Sequence, residues 1–448
     1  MGGSAMTEKI VAAVEKYRDL ILNTERHIWT TPETGYKEFK TSGYMEERFR
    51  ELGYDVVKAD GITGFYARLD TGREGPELLI LAELDSILCA SHKDADPATG
   101  AVHSCGHNAQ CAAFLGVAAA LKERGMLDGL CGAIRLCAVP AEELLEIEYR
   151  SKLKDEGKIK YFCGKSEFLH RGYFDGVDLA FMVHTSRSFT AGVGSVGCIV
   201  KRILYKGVAA HAGSSPWNGK NALYAATCGL QAVNALRETF KEEDLIRVHP
   251  IITNGGSMVN AIPDMVTMES YIRGVSFAAM EDANKKVNRA LIGAAYSIGA
   301  NIEIIDRAGY SPLNNNTDML YAAKEAYETL FPGEEFTITQ NRSTGSTDMG
   351  DLCCIMPVIH PYAPGAEGTS HGSDYVVADP EAACVKNAKW QLSIINTLLG
   401  NGAERAKKIV AEYRPLFDSK EAYFAYVDSL TSSGERIIYN DDGTAFIK

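Results

Sequence analysis

The sequence predicts an α/β protein with a largely parallel sheet, interrupted by an inserted α+β unit of ferredoxin-like order. Three observations predict it. Runs such as Glu77-Leu78-Leu79-Ile80-Leu81-Ala82 are apolar without alternation, as in strands covered on both faces. Several such runs end directly in a carboxylate or an imidazole, where open α/β sheets place their ligands. From about Gly194 the pattern becomes β-α-β-β-α-β, the order of a ferredoxin-like module. At 448 residues the chain exceeds one ordinary core. The expected division is an outer unit of residues 1–193 and 307–448 around an inserted unit of residues 194–306.

Taken in order, residues 8–23 have helical apolar spacing, and a second helix is expected over 41–52 after the turn Thr31-Pro32-Glu33-Thr34-Gly35. Gly64-Phe65-Tyr66-Ala67-Arg68-Leu69 alternates like a strand. The strand that begins at Glu77 runs into Glu83-Leu84-Asp85. Val102-His103-Ser104-Cys105-Gly106-His107-Asn108 precedes an apolar segment that reads as a buried helix. Gly132-Ala133-Ile134-Arg135-Leu136-Cys137-Ala138-Val139 is another strand, ending in Pro140-Ala141-Glu142-Glu143, and the strand from Val177 to Val183 ends in His184. Residues 146–172, rich in Lys and Glu, read as a solvated helix and loop. In the inserted unit the expected strands are 198–205, 245–252, 265–273 and 301–306, with helices over 221–237 and 279–293. Helices over 321–330 and 381–399 follow, and the tail after Gly402 is expected to be helical to Leu430.

Composition narrows the function. The formal charge of −12 gives no reason to expect nucleic acid or anionic lipid as partner. No apolar run approaches the roughly 20 residues that span a bilayer. Met1-Gly2-Gly3-Ser4-Ala5-Met6 lacks the basic and apolar regions of a secretory signal and looks like an expression scar. Eleven cysteines without regular spacing fit reduced thiols in the cytoplasm rather than a disulfide framework.

Chemistry concentrates at the strand ends. Cys105 and His107 offer a thiolate and an imidazole two residues apart, a pair suited to a borderline divalent metal. Adjacent glutamates on extended backbone point in different directions, so Glu143 can bind a metal while Glu142 faces a substrate. With His184 and His371, the set Cys105, His107, Glu143, His184 and His371 exceeds what one tetrahedral metal with an open position needs. It suits two divalent ions sharing a bridge, either Cys105 or a water. A water on such a metal gives up its proton near neutral pH, and Glu142 is placed to take it and pass it to a leaving amine. No His-Glu-x-x-His motif, phosphate loop or nucleophile elbow competes.

The ordered run ELD, VHSCGHN, PAEE, VH, GVAAHA, GGSMVNAIPD, IRG, GSTDMGD and SHGSD resembles the amidohydrolase branch of the aminoacylase/carboxypeptidase G metallopeptidases, over roughly residues 10–400. That branch includes N-acyl-amino-acid, auxin-conjugate and aminobenzoyl-glutamate hydrolases. The resemblance implies a di-metal exopeptidase-like catalytic domain on a mixed, largely parallel sheet. It also implies a ferredoxin-like lid domain, the inserted unit, through which subunits dimerise. By matching motif, Cys105, His107, Glu143, His184 and His371 would be metal ligands and Glu142 the general base. Asp85 would orient a ligand from behind. His211 would donate to the developing oxyanion, reaching across the dimer. Asn260 and Arg273 would hold the substrate's carboxylate. Their bland alternatives are a loop donor, a turn former and a surface charge.

Many members of that branch carry Asp-Met-Asp where this chain has Glu83-Leu84-Asp85. Their Gly-rich turn after the paired glutamates is replaced by Leu144-Leu145-Glu146-Ile147-Glu148-Tyr149 and a charged insertion, and CGHN stands where CGHD is common. These departures bear on substrate identity. The expected function is metal-dependent hydrolysis of the amide in an N-acyl or aminobenzoyl amino acid, with a dipeptidase as the alternative and a non-catalytic binding protein as the rival of another class. Zinc is the first choice of metal, with manganese or cobalt permitted by the mixed donors.

Overall fold

Six strands form the main sheet, in the order Val57–Lys58, Phe65–Asp70, Ala133–Val139, Glu77–Glu83, Leu179–Phe181, Val358–Ile359. The first two pairings are antiparallel and the remaining three parallel. Glu77–Glu83 and Ala133–Val139 are buried at every position, as expected for central strands with both faces covered. The computed structural model describes residues 2–442 and 444–448, so Met1 of that N-terminal stretch lies outside the described residues. No helix among them is long and apolar enough to cross a membrane.

The helix His107–Leu121 is buried along its whole length and packs against Arg18–Trp29 and Asn387–Leu399 in the larger core. The single helix expected over 8–23 is two, Gly2–Glu15 and Arg18–Trp29. A turn at Lys16-Tyr17 separates them, closed by Tyr17 N–H donating to Val14 O, and both Val14 and Ile21 are fully buried.

The insertion departs from expectation. Residues 146–172 form the helices Ile147–Asp155 and Gly164–His170, and Arg150, Lys165, Ser166 and Glu167 are buried rather than solvated. Their polar groups have partners: Arg150 donates to the carbonyls of Phe162 and Glu143, Lys165 meets two carboxylates, Ser166 donates to Asp351, and Glu167 accepts from Arg171. A charged group enters a core only when so compensated.

The chain divides into two compact units. The second is built on the antiparallel strands Gly197–Lys206, Met265–Gly274 and Asn301–Ala308. Its core also takes in the helices Ala222–Ala235 and Phe277–Ser297. Met265–Gly274 alternates between buried and partly exposed positions, the mark of a sheet with one covered face. The strand expected over 245–252 is two pieces, Arg247–Val248 and Ile251–Asn254. They part at His249-Pro250, where proline has no N–H to give the ladder.

The division itself differs from the expected one. The first unit takes in Asn314–Arg342 and Thr347–Lys420, whereas Ser343–Ser346 and Glu421–Lys448 belong to the second, which runs to Leu313. The tail is helical over Lys420–Ser429 and ends in a hairpin of Ile437–Tyr439 with Ala445–Ile447. Ser432 exchanges backbone hydrogen bonds with Asp306, and Arg436 N–H donates to Ile302 O. The tail thereby covers the open edge of the strand Asn301–Ala308, an edge that would otherwise expose unpaired backbone groups. Ile437, 2% exposed, sits in that unit's core. Ile437→Ala is expected to lower stability in chemical denaturation by about 2–4 kcal/mol. A peripheral tail would give less than about 0.5 kcal/mol.

Candidate metal centre and active site

The chemistry gathers where the buried strands of the first unit end. Glu77–Glu83 delivers Glu83, whose N–H donates to Gln110 Oε1 at 2.7 Å and whose carbonyl accepts from Cys111 Sγ at 3.0 Å. The neighbouring helix, His107–Leu121, is entered through Gly106, with φ 89°, a left-handed conformation that glycine adopts freely. A Cβ there would stand 2.4 Å from the Tyr375 hydroxyl. Cys105 and His107 flank this glycine and both reach the site.

Backbone carbonyls fix the histidines. His107 Nδ1 lies 2.8 Å from Asp85 O, and His184 Nδ1 lies 2.7 Å from Thr185 O. A carbonyl only accepts, so each Nδ1 carries a proton, and each ring in its neutral form presents a bare Nε2 inward, the arrangement a metal-binding imidazole needs. His184 Nε2 is 3.5 Å from Cys105 Sγ. His371, in left-handed conformation with φ 62°, is tied by its N–H to Ser104 O at 2.9 Å, and its Nε2 meets Glu143 Oε1 at 2.9 Å. Glu143 N–H donates to Asp85 Oδ2 at 2.9 Å. Asp85 therefore braces both a glutamate and, at 3.4 Å, the His107 ring.

Among the described residues, four groups of donors each hold their ligand atoms within 4.8 Å of one another. Cys105, His107 and His184 form one, Cys105, Glu143 and His371 a second, with Cys105 common to both. The third is His107, Glu142 and Glu143, and the fourth Glu83, Glu142 and Asp348. The donor chemistry fits divalent metal. So does an orphaned pair: His107 Nε2 and Glu83 Oε2 are buried, 3.2 Å apart, and neither has a hydrogen-bond partner. Two lone pairs face each other there, which a cation between them would satisfy.

Electrostatics separates the paired glutamates. Burial, reinforced by the carboxylates of Glu83, Glu143 and Asp348, pushes Glu142 well above the usual carboxylate range. Burial would raise Glu143 too, but the hydrogen bond and charge of His371 bring it down to about 2. Hydrogen bonds to Cys105 and Glu143 lift His371 to about 11. Neighbouring groups whose environments drive their proton affinities apart are the mark of divided acid and base roles.

Sequence reasoning missed one partner of this centre. Lys165, fully buried in the insertion, places Nζ 2.5 Å from Glu83 Oε1 and also on Asp348, whose other oxygen accepts Lys165 N–H at 2.9 Å. Burial disfavours its charge, yet Asp348 and Glu83 outweigh that and keep the ammonium protonated. Its neighbours Lys158 and Lys160 made it look like one more surface lysine.

Three expected site residues lie on the second unit. His211 is exposed, and its Nδ1 accepts the N–H groups of Gly213 and Ser214 at 3.1 Å, which leaves Nε2–H as an outward donor in the neutral ring. Asn260 is exposed, and its carbonyl accepts Ala212 N–H at 2.9 Å. Arg273 is partly buried, donating to Ser346 Oγ at 2.8 Å beside the Tyr271 ring.

A family model described as Peptidase family M20/M25/M40 matches residues 88–397. The Xaa-Arg dipeptidase of Mus musculus is 31% identical over 388 residues, covering 83% of this chain and 82% of that protein. The N-acetyl-L-cysteine deacetylase of Bacillus subtilis is 26% identical over 327 residues, 68% of this chain and 71% of the relative. In structure, a dinuclear metal-binding peptidase of the M20 family from Bacillus subtilis superposes with a TM-score of 0.63 at 21% identity. That match spans 86% of this chain and 99% of the other, and it carries the fold.

Removing the Lys165 ammonium leaves two buried carboxylates without their counter-charge. Lys165→Met is expected to cost about 3–5 kcal/mol in urea unfolding of the metal-free protein. A cost below about 1 kcal/mol would mean that this ion pair is not the buried one described.

Proposed function

Because the chain belongs to peptidase family M20/M25/M40 and is an amide-cleaving hydrolase, we propose that it removes the acyl or aminobenzoyl group from N-acyl amino acids. Two divalent ions, zinc foremost for a thiolate and imidazole set, would be held by Cys105, His107, Glu143, His184 and His371. When bound, they supply Lewis acidity and positive charge that lower the proton affinity of water at the site.

Glu142 is the general base in this reading. It takes a proton from the attacking water and delivers it to the departing nitrogen. Its raised proton affinity suits the second task as much as the first. Asp85 orients His107 and Glu143. His211 donates through Nε2–H to the developing oxyanion, while Asn260 and Arg273 hold the substrate's carboxylate. The observation that carries the reading is the meeting of five ligand-type side chains from positions 105 to 371 around a glutamate that is not among them.

A dipeptidase is the second reading, favoured by the 31% identity to the Xaa-Arg dipeptidase. Assay of the metal-reconstituted enzyme on N-acetyl amino acids and on dipeptides ending in arginine separates the two. For whichever substrate is turned over, Glu142→Gln is expected to lower kcat by about 10²–10⁴-fold with metal content unchanged. Near-full turnover in that variant removes Glu142 from its role.

Two further assignments complete the proposal. All eleven cysteines are free thiols, in keeping with a reducing cytoplasm. The second unit offers Tyr224, Ile251 and Val259 at 62%, 61% and 100% exposure, with Ile251 on an edge strand of the sheet. Apolar side chains on an open edge suit pairing with a second copy, and His211 would then serve the partner's site. Ile251→Lys is expected to convert a dimer to a monomer in light scattering. A wild-type monomer, or a variant still dimeric, removes this interface.

A further inference from the structure

The paired glutamates leave the backbone from a strained turn. Ala141, immediately before them, has φ 55°, a left-handed conformation that a residue with a Cβ adopts only when its surroundings over-determine it. Glu38 supplies one constraint. Its side chain has no exposed surface; Oε1 accepts Ala141 N–H at 2.8 Å and Oε2 accepts the Thr63 hydroxyl at 2.6 Å.

The chain itself supplies the others. Gly164 N–H donates to Ala141 O at 3.2 Å. A Cβ on Gly164 would stand 1.7 Å from Pro140 O, and one on Gly35 would stand 2.9 Å from Ala141 Cα. Both glycines therefore press backbone against the turn. Beyond it, Glu143 N–H is held by Asp85. Both carboxyl groups that grip this backbone, Glu38 and Asp85, lie outside the candidate ligand groups, but Asp85 also meets the His107 ring.

We propose that Glu38 is a positioning residue, whose carboxyl holds Ala141 left-handed and thereby fixes the directions in which Glu142 and Glu143 leave the chain. The proposal rests on the reading of Glu142 as the base. Side chains of adjacent residues diverge from the backbone, so a rotation at Ala141 swings both glutamates at once, one off the water and the other off the metal. Without the acceptor, the Ala141 N–H would be buried with no partner and the left-handed residue would be free to relax.

Glutamine can replace this carboxyl. Its carbonyl keeps the acceptor toward Ala141, and its amide donates to the Thr63 oxygen, which accepts as readily as it gives. Burial and the nearby Asp85 push Glu38 up to about 8, toward the neutral form that glutamine imitates.

The test compares Glu38→Ala and Glu38→Gln in the full-length, metal-reconstituted enzyme, on N-acetyl-L-cysteine or alanyl-arginine, whichever the wild type turns over faster. Glu38→Ala is expected to lower kcat about 10²-fold at saturating metal, as a misplacement near 1 Å does, with weaker metal retention on dialysis as Glu143 shifts and KM little altered. Glu38→Gln is expected to stay close to wild type. Amide exchange in the peptide of residues 138–146, followed by mass spectrometry, should quicken in Glu38→Ala and stay protected in Glu38→Gln. If the wild type cleaves neither substrate, the functional reading falls and amide exchange alone decides the clamp. Should Glu38→Ala not fold, Thr63→Val takes its place, with faster exchange and a smaller fall in kcat. Wild-type kcat and exchange in the alanine or valine variant, or a glutamine variant as impaired as the alanine one, overturns the proposal.

Discussion

Carboxylates that share a buried space repel one another, and this repulsion organises the centre of the first unit. Glu83, Glu142 and Asp348 bring oxygens within 4.8 Å of one another, Glu143 lies beside Glu142, and Asp85 grips Glu143 from behind. All five are buried. Such a cluster persists only with cations in it or protons on it. The chain provides the Lys165 ammonium and the His371 imidazole, and the raised proton affinity of Glu142 acts in the same direction. What remains is a set of bare imidazole nitrogens, a thiol and a carboxylate facing one point, which is the electrostatic definition of a site for divalent metal.

The difference in proton affinity between Glu142 and Glu143 follows from the same repulsion. The two cannot both stay ionised cheaply, and the imidazole of His371 decides which one does. Because His371 bonds Glu143 at 2.9 Å, the negative charge settles there and Glu142 keeps a strong hold on its proton. Adjacent residues thus acquire different proton affinities without any difference in chemical type.

Much of this was legible in the sequence. The strand ends near Asp85 and Glu143 and the helix mouth at Cys105 and His107 follow from uninterrupted apolar runs, which identify parallel strands with their termini on one edge. The strand expected to end in His184 instead stops at Phe181, and His184 sits on a separate short strand paired with Tyr362–Ala363. Lys165 was not legible, since its partners lie 82 and 183 residues away and its own surroundings are charged. The tail was misplaced for a related reason. Its hairpin answers an open sheet edge at Asn301–Ala308, a requirement that arises only in three dimensions. The helix break at Lys16-Tyr17 carries no proline or glycine, so periodicity alone could not show it.

The family membership and the site agree on hydrolysis, while the departures that the sequence raised find physical partners. Glu83, at the position where many members of the branch that the sequence resembles carry aspartate, meets Lys165 through one oxygen and keeps the other beside His107. Asn108, in place of aspartate, donates to the buried Glu25 at 2.7 Å, so a single carboxylate rather than two occupies that spot.

X-ray absorption at the zinc edge of the reconstituted protein tests the central claim most directly. The account predicts a sulfur neighbour near 2.3 Å together with nitrogen and oxygen neighbours near 2.0–2.1 Å, a second zinc a few ångströms away, and loss of the sulfur neighbour in Cys105→Ser. A spectrum with nitrogen and oxygen only, or with no second metal, would contradict it.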